Sequence, residues 1–446
     1  MAINEALMTA LNEIRETSID DGTLYAKYVP EIHLNSDIST FAVPLLENPK
    51  VMNDFIDVLV KRIVYTQVQV KLFRNPLKIL EGDELPLGAI GQEIFVNPIR
   101  GRVFNVNDFA GLLAKYEADV KVQYHELNSD LQYPVTITRA KIKDAFVSWD
   151  ELNSFINGIT QALYNGAYID EYNLTKDLVA TAYKNNNVQI EVVDGINSEA
   201  YAKAFLTKAR TIYLNMQTPT SRFNAWRKVG GYGNDVLTFT APEDIVFLIR
   251  NDLASYIDVN VLASAFNIDK TTLLGRIIYV NDFDTYSNDG TKIYDGSAIV
   301  GMIADRTWFR IKTQEMTMDE FYNANNRTWQ YYLNVVKMYS YSLFANGVVF
   351  ATSLPNVPAT KIEFVDDTAF EIEEGEKIRR TLAITPINST STVTFTSSDA
   401  TILKVTKVSD TEVEIEGVST DADSITITAT CGNLTDTISG KCVSGT

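Results

Sequence analysis

The sequence predicts an α+β fold followed by a small C-terminal β-sandwich, and three observations carry that prediction. A helical run covers residues 148–185. Beyond it, continuous apolar runs such as residues 245–249, which suit strands buried on both faces, alternate with short helices. At Leu354-Pro355-Asn356-Val357-Pro358 the composition changes: no Trp or Tyr follows Tyr341, Thr and Ser rise, and short β-rich runs are broken by turns.

The helical run is the element around which the rest is arranged. Ser148 and Glu151 have the S-x-x-E spacing of a capping box, in which two side chains satisfy orphan N–H groups at a helix start. Leu152, Phe155, Ile156, Ile159 and Leu163 recur at helical spacing and form one apolar stripe. Gly158 and Gly166 each cost about 1 kcal/mol relative to Ala, so a bend or short break is expected near Asn165-Gly166. A continuous helix of this length spans on the order of 50 Å and serves as a backbone for sheets and loops.

The remaining elements follow in order. Ile3, Leu7, Leu11 and Ile14 mark an amphipathic first helix. Residues 17–50, punctuated by Pro30, Pro44 and Pro49, read as an irregular extended arm suited to lying over a neighbouring subunit. A short helix covers 51–60, and Val64, Val68, Val70 and Leu72 alternate with polar residues as a strand. Residues 75–97 carry turn signals at Asn75-Pro76, Glu81-Gly82, Pro86 and Gly88 between alternating apolar residues. They read as a two-stranded excursion too narrow to bury both its faces.

A helix-like piece (108–116) and strands at 120–125 and 135–138 precede the long helix; a strand (189–193) and a helix (198–214) follow it. Residues 215–240, with Arg222, Arg227, Lys228 and Gly230-Gly231-Tyr232-Gly233, read as an exposed loop. Strands are expected at 245–249, 277–280, 299–303 and 307–311, helices at 251–257 and 261–266, and one strand over 334–351. Runs at 380–385, 392–396, 402–408, 412–416 and 425–429 make the sandwich.

Composition narrows the function classes. A chain of 446 residues is long enough for two or three domains. Its net charge of −18 repels nucleic acid at long range, which excludes nonspecific DNA binding as a main task. Residues 359–446 hold seven Lys/Arg and fifteen Asp/Glu, so −8 of that charge sits on the C-terminal module. No apolar run reaches the roughly 18 residues of a membrane-spanning helix. The N-terminus carries Glu5 and Glu13 and lacks the basic and apolar regions of a secretory signal. Cys431 and Cys442 therefore read as free thiols of a cytoplasmic product.

No catalytic, cofactor-binding or metal-binding constellation emerges. His33 and His125 are the two histidines, too few and too isolated for a zinc site with two distant cysteines or for a catalytic triad. Each reads as a satisfied or surface histidine. Gly230-Gly231-Tyr232-Gly233 lacks the Lys and the strand-to-helix context of a phosphate loop. Asp366-Asp367 and Glu373-Glu374 read as solvated faces, and Lys203, Lys208 and Arg210 are dispersed along a helix.

The order of parts (N-terminal arm, two-stranded excursion, long capped helix, α/β region, returning strands) resembles the capsid fold shared by tailed phages and herpesviruses, the Hong Kong 97 fold. The segments Asn75-Pro76-Leu77-Lys78, Leu85-Pro86-Leu87-Gly88, Ala145-Phe146-Val147-Ser148-Trp149 and Leu262-Ala263-Ser264-Ala265-Phe266-Asn267 are similar to the major head proteins of picovirus-type podoviruses, the phi29-like short-tailed phages. The likeness is colinear across residues 50–350. Thr394-Phe395-Thr396-Ser397-Ser398-Asp399 and residues 402–405 resemble a bacterial Ig-like group 2 domain, which some such head proteins carry at the C-terminus.

The resemblance implies a capsid fold over 1–355, with an N-terminal arm (1–50), an extended-loop region (62–106), a spine helix (146–188) and a mainly axial domain (189–330), then an Ig-like domain over 359–446. It implies a non-enzymatic protein of the virion that self-assembles in the host bacterial cytoplasm. Its copies would form pentamers and hexamers and close an icosahedral or prolate head. The implied partners are scaffolding and portal proteins and enclosed double-stranded DNA held without sequence-specific binding, with no membrane and no cofactor. Inter-subunit contact candidates are Asn75, Pro76, Leu77, Lys78, Glu81 and Asp83 in the excursion. The alternative from another class is a bacterial surface adhesin ending in an Ig-like module, which needs an export signal; an enzyme with such an appendage needs a pocket with paired carboxylates.

Overall fold

The computed structural model describes residues 5–20, 22, 24–48, 50–55, 73–101, 115–138, 146–195, 198–230, 235–253, 276–287, 290–421 and 423–444. In chain order its helices are α1 (Glu5–Asp20), α2 (Tyr25–Tyr28), α3 (Ile38–Glu47), α4 (Trp149–Lys184), α5 (Glu199–Met216) and α6 (Trp226–Gly230). Its strands are β1 (Gly91–Val96), β2 (Val120–His125), β3 (Ser129–Thr138), β4 (Gln189–Val192), β5 (Ile245–Arg250), β6 (Arg276–Val280), β7 (Thr285–Tyr286), β8 (Lys292–Tyr294), β9 (Ile299–Asp305), β10 (Phe309–Asn323), β11 (Thr328–Tyr341) and β12 (Gly347–Ala351). Eight more follow: β13 (Lys361–Phe364), β14 (Phe370–Glu373), β15 (Lys377–Thr385), β16 (Thr394–Ser397), β17 (Leu403–Ser409), β18 (Glu412–Gly417), β19 (Ile425–Cys431) and β20 (Leu434–Val443). The chain divides into two compact units, the first comprising Met1–Gly91, His125–Thr175 and Arg310–Ser340, the second the rest.

In the first unit a three-stranded sheet, β10-β11-β3, shares a core with the N-terminal helices and the first part of α4. β11 and β3 run antiparallel from Thr328↔Thr138 to Lys337↔Ser129. Period-two alternation turns Trp329, Tyr331, Leu333 and Val335 of β11 inward, where they meet Leu152, Leu163 and Tyr164 of α4. The stripe foreseen on α4 is thus buried at Leu152 and Leu163, with Phe155 packed at its edge. The side chains of Glu151, Ile156 and Ile159 lie outside the described residues.

Residues 17–50 differ from the irregular arm expected of them. α2 and α3 form there, and Tyr25, Val29, Ile32, Phe41 and Leu45 enter the unit's own core. The prolines mask a helix whose start is fixed by Asp37, which accepts the Ser39 N–H at 2.8 Å. Asn12 exchanges two bonds with the backbone of Ile32 (2.7 and 2.8 Å), and Asn53 accepts the Trp329 indole N–H at 2.7 Å, so the segment is fastened to its own chain.

The break expected in α4 near Asn165-Gly166 is absent; the helix is continuous for 36 residues. Gly166 serves packing instead: a Cβ there would meet the Tyr133 ring at 3.3 Å. Asn165 accepts the N–H of Phe73 at 2.8 Å. The helix cost of Gly166 therefore accompanies a close approach of β3.

The second unit holds a mixed five-stranded sheet ordered β4-β12-β9-β5-β6. β12 is parallel to β4 and antiparallel to β9; β5 is antiparallel to β9 and parallel to β6. Residues Ile245 to Ile249 are buried without interruption, as the apolar run requires. α5 is capped by Ser198, and its Ala202, Phe205, Ala209 and Ile212 pack on Phe247 and Phe350, with Phe205 edge-on to Phe350 at 5.2 Å. The run 334–351, read as one strand, is two: β11 ends at Tyr341 and β12 begins at Gly347, in different sheets. The buried connection supplies the reason, since Leu343, Phe344 and Ala345 sustain the apolar run across a change of direction.

Residues 215–240 are likewise not a simple exposed loop: Phe223, Asn224 and Ala225 are buried, and Lys228 of α6 is half-buried. The predicted strand at 64–72, residues 108–114 of the helix expected at 108–116 and the helix at 261–266 lie outside the described residues, as do residues 231–234.

Two four-stranded sheets, β13-β15-β18-β17 and β14-β20-β19-β16, close the second unit. Ile362, Phe364, Leu382, Val413 and Ile415 of one meet Ile372, Ile427, Ala429 and Ile438 of the other in a shared core. Cys431 and Cys442 are both free and buried there. The expected runs fall on β15 to β19; β13, β14 and β20 were not foreseen because their inward residues alternate with charges and Thr over short spans.

Candidate assembly surfaces

The excursion at 75–97 is built differently from the expected two-stranded arm, and the difference defines the site. Leu77, Leu80 and Leu85 are buried, and a short 3-10 turn occupies Lys78–Leu80. Gly82 N–H donates to Ile311 O at 2.9 Å and Leu85 N–H to Thr313 O at 2.8 Å, so this stretch lines the edge of β10 rather than pairing with β1. Apolar residues at alternating spacing cannot distinguish these two partners.

Beneath it lies a charged cluster within the first unit. Glu171 of α4 and Lys337 of β11, each less than one-tenth exposed, meet at 2.7 Å. Lys337 also donates to Glu81 at 3.1 Å, Lys78 reaches Glu171 at 3.3 Å and pairs with Glu81, and the Asn75 amide donates to Glu171 at 2.9 Å. Thr313 donates to Glu81 as well. Each ammonium thus meets both carboxylates, and Asn75 and Thr313 add a neutral donor to each, so the buried charges are paired and hydrogen-bonded. Burial alone would raise the Glu81 carboxyl, but bonds from Lys78 and Thr313 and the charges of Lys337 and Lys78 hold it below the ordinary range. Burial would lower Lys78, and Glu81 and Glu171 more than reverse that.

Of the contact candidates, then, Asn75, Lys78 and Glu81 converge on this cluster, Leu77 is buried, and Pro76 and Asp83 are exposed. Sequence reasoning missed Glu171 and Lys337. Their signal is a lone charge at an inward position of an otherwise apolar helix face and strand.

β1 finds its partner in β2, a ribbon of two strands whose faces differ sharply. Inward, Phe95 stacks on Phe344 with centroids 5.6 Å apart, Glu93 accepts the Ser342 hydroxyl at 2.8 Å, and Gln123 binds Leu343 N–H (2.9 Å) and Tyr341 O (2.8 Å). Asn97 is anchored to Asp235 O and Leu237 N at 2.7 and 2.9 Å. Outward, Ile94, Val96, Val120 and Tyr124 are all at least half exposed on one face. Four large apolar side chains side by side on a two-stranded ribbon leave a surface that water covers at a cost.

His125 is buried, its Nδ1 2.7 Å from the Ser340 hydroxyl, and His33 is exposed. No helix among the described residues is long and apolar enough to cross a membrane.

Comparison with known proteins bears on these surfaces. The sequence profile of the Phi29-like phage major capsid protein matches residues 11–351. The major capsid protein of Bacillus phage B103 is 30% identical over 370 residues, covering 82% of this chain and 77% of that one. That of Bacillus phage GA-1 is 32% identical over 322 residues, 71% of this chain and 64% of its own. Among solved structures, a chain of the capsid of Staphylococcus phage Andhra superposes with a TM-score of 0.52 at 14% identity, covering 64% of this chain and 86% of that chain, a likeness of fold.

Proposed function

The chain belongs to the family of Phi29-like phage major capsid proteins, and from that premise we propose how its parts build a head. Its function is structural: copies of it assemble with one another into the capsid shell of a bacteriophage. The family match across residues 11–351 carries this reading.

The finer assignment is a Hong Kong 97-type subunit. α4 acts as the spine within 146–188, residues 189–330 form the mainly axial part, 62–106 the extended-loop region and 1–50 the N-terminal arm, here folded on its own unit. The β1–β2 ribbon is the contact that a neighbouring subunit covers, because its outer apolar face has no cover within the ribbon itself. Among the candidates of the preceding stretch, Pro76, Asp83 and the outer part of Lys78 are exposed and available to a neighbour, while Asn75, Lys78 and Glu81 hold the stretch in place. Pentamers and hexamers of such subunits close an icosahedral or prolate head, with many modest contacts rather than one tight pair. Scaffolding and portal proteins are the partners, assembly takes place in the host bacterial cytoplasm, and double-stranded DNA is enclosed without sequence-specific binding. A net charge of −18 suits a container that must not trap its DNA. Residues 359–446 are a bacterial Ig-like group 2 domain on the same chain.

The test is an Ile94→Asp, Tyr124→Asp chain expressed with the other head proteins. Both positions are exposed, so the melting temperature stays at that of the parent while closed shells disappear from electron micrographs. Normal shell yield overturns the ribbon assignment.

A further inference from the structure

The Pro-bracketed segment before the sandwich, where the composition changes, has its backbone tied down. Val357 N–H donates to Thr390 Oγ1 and Thr390 N–H to Val357 O, both at 2.9 Å, and Ala359 N–H donates to Ser391 Oγ at 2.9 Å. Ser353 O accepts the Tyr183 hydroxyl of α4 at 2.7 Å. Linker and sandwich turn thus form one knot, and that knot reaches the C-terminal end of α4.

Three asparagines stand at this helix end. A helix C-terminus leaves carbonyls without partners and commonly turns through a left-handed residue, for which Asn is the usual choice after Gly. Asn186 takes that conformation at φ 51°. Its amide donates to the main-chain O of Asn388 at 2.8 Å, while the Asn388 amide donates back to Asn185 O and to Asn187 Oδ1 (2.8 Å). The exchange is reciprocal, and one of the orphan carbonyls is capped by the sandwich. Lys228 completes it from below: its Nζ donates to Asn186 Oδ1 and Val188 O, each at 2.7 Å, which fixes the Asn186 amide with its N–H groups toward Asn388. A cation at this end also favours the helix dipole.

We propose that the C-terminal sandwich is fastened, not tethered: Asn388 and Asn186 form an amide clamp that holds the module in one orientation on the end of α4, with Lys228 positioning the clamp. The clamp lies within one chain, so its test is independent of whether the chain assembles as inferred above.

Spin labels at Leu214→Cys on α5 and Thr437→Cys on β20, two exposed positions, report the orientation in the full-length unassembled chain. The parent gives a narrow dipolar distance distribution. Asn388→Ala broadens it and raises hydrogen exchange in peptides spanning 353–360 and 386–392 by about tenfold, as loss of a local contact does. Peptides of β19 and β20 keep their protection, which shows the module still folded. Asn186→Gly, which keeps the left-handed backbone and removes only the amide, gives the same result. A parent distribution as broad as that of the variants overturns the clamp, and so do variants whose distribution stays narrow.

Discussion

The Lys337 ammonium lies 2.7 Å from the Glu171 carboxylate, and both side chains are more than nine-tenths buried. One is on a strand and the other on the long helix, and the stretch at 75–85 is fixed above them through Asn75, Lys78 and Glu81.

Lys337→Met removes the most buried cation and leaves two carboxylates to share Lys78. Stability in urea falls by about 3 kcal/mol, the scale seen when one partner of a buried pair is lost. Adding Glu171→Gln restores part of that loss, because the uncompensated charge is gone. A double variant whose loss equals the sum of the singles contradicts coupling through this cluster.

Acid loosens the same stretch. The folded-state pKa of Glu81 is depressed, so its contribution is full above its ordinary value of 4.5 and is lost as pH falls through the lower folded value. Exchange of the Gly82 and Leu85 amides, which are bonded to β10, should therefore accelerate at acid pH well before the amides of β5 respond. Simultaneous loss of protection in both places argues against a local role for Glu81.

Two glycines of α4 separate helix propensity from packing. Nothing lies within 4 Å of a Cβ at Gly158, so Gly158→Ala raises stability by about 0.5–1 kcal/mol. At Gly166 the new methyl meets the Tyr133 ring, whose hydroxyl is held by Asp170 at 3.0 Å, so Gly166→Ala forfeits that gain or reverses it. Thermal melts of the two variants in parallel decide the matter; equal stabilisation would show that Tyr133 yields freely.

Lys228 has an alkaline signature. Burial pushes its ammonium down to about 8 from 10.5. Between those values the folded chain has shed a proton that the unfolded chain still binds, so this residue's contribution to stability rises with pH there and is lost as pH falls through about 8. Relative to Lys228→Met, the parent should gain up to about 3 kcal/mol between pH 8 and pH 10.5 in denaturant titrations. A difference that stays flat across that window places the amine in solvent.

What was legible in the sequence was local and periodic. Leu152 and Leu163 on α4, the apolar run at 245–249 and the alternation of β15 to β19 each point to their own burial. Partner choice was not legible: residues 91–96 and 120–125 both alternate, yet nothing local says that they pair with each other while residues 81–85 line β10. The turn signals at 75–83 were legible in the sequence. Their actual partners, Glu171 and Lys337, lie some 90 and 256 residues from them in the chain, beyond any local pattern. α1 was legible from its apolar spacing, whereas α3 was hidden because Pro44 sits inside it, where proline ordinarily argues against a helix.

The strand order of the five-stranded sheet has a consequence for synthesis. β12, made after every other strand of that sheet, lies between β4 and β9 rather than at an edge. Until Gly347–Ala351 has left the ribosome, β4 has no neighbour in the sheet and Phe350 is missing from beneath α5. A nascent chain therefore holds this sheet unfinished until residue 351 has been made, and only a chain past that point has the five strands paired as a rigid body.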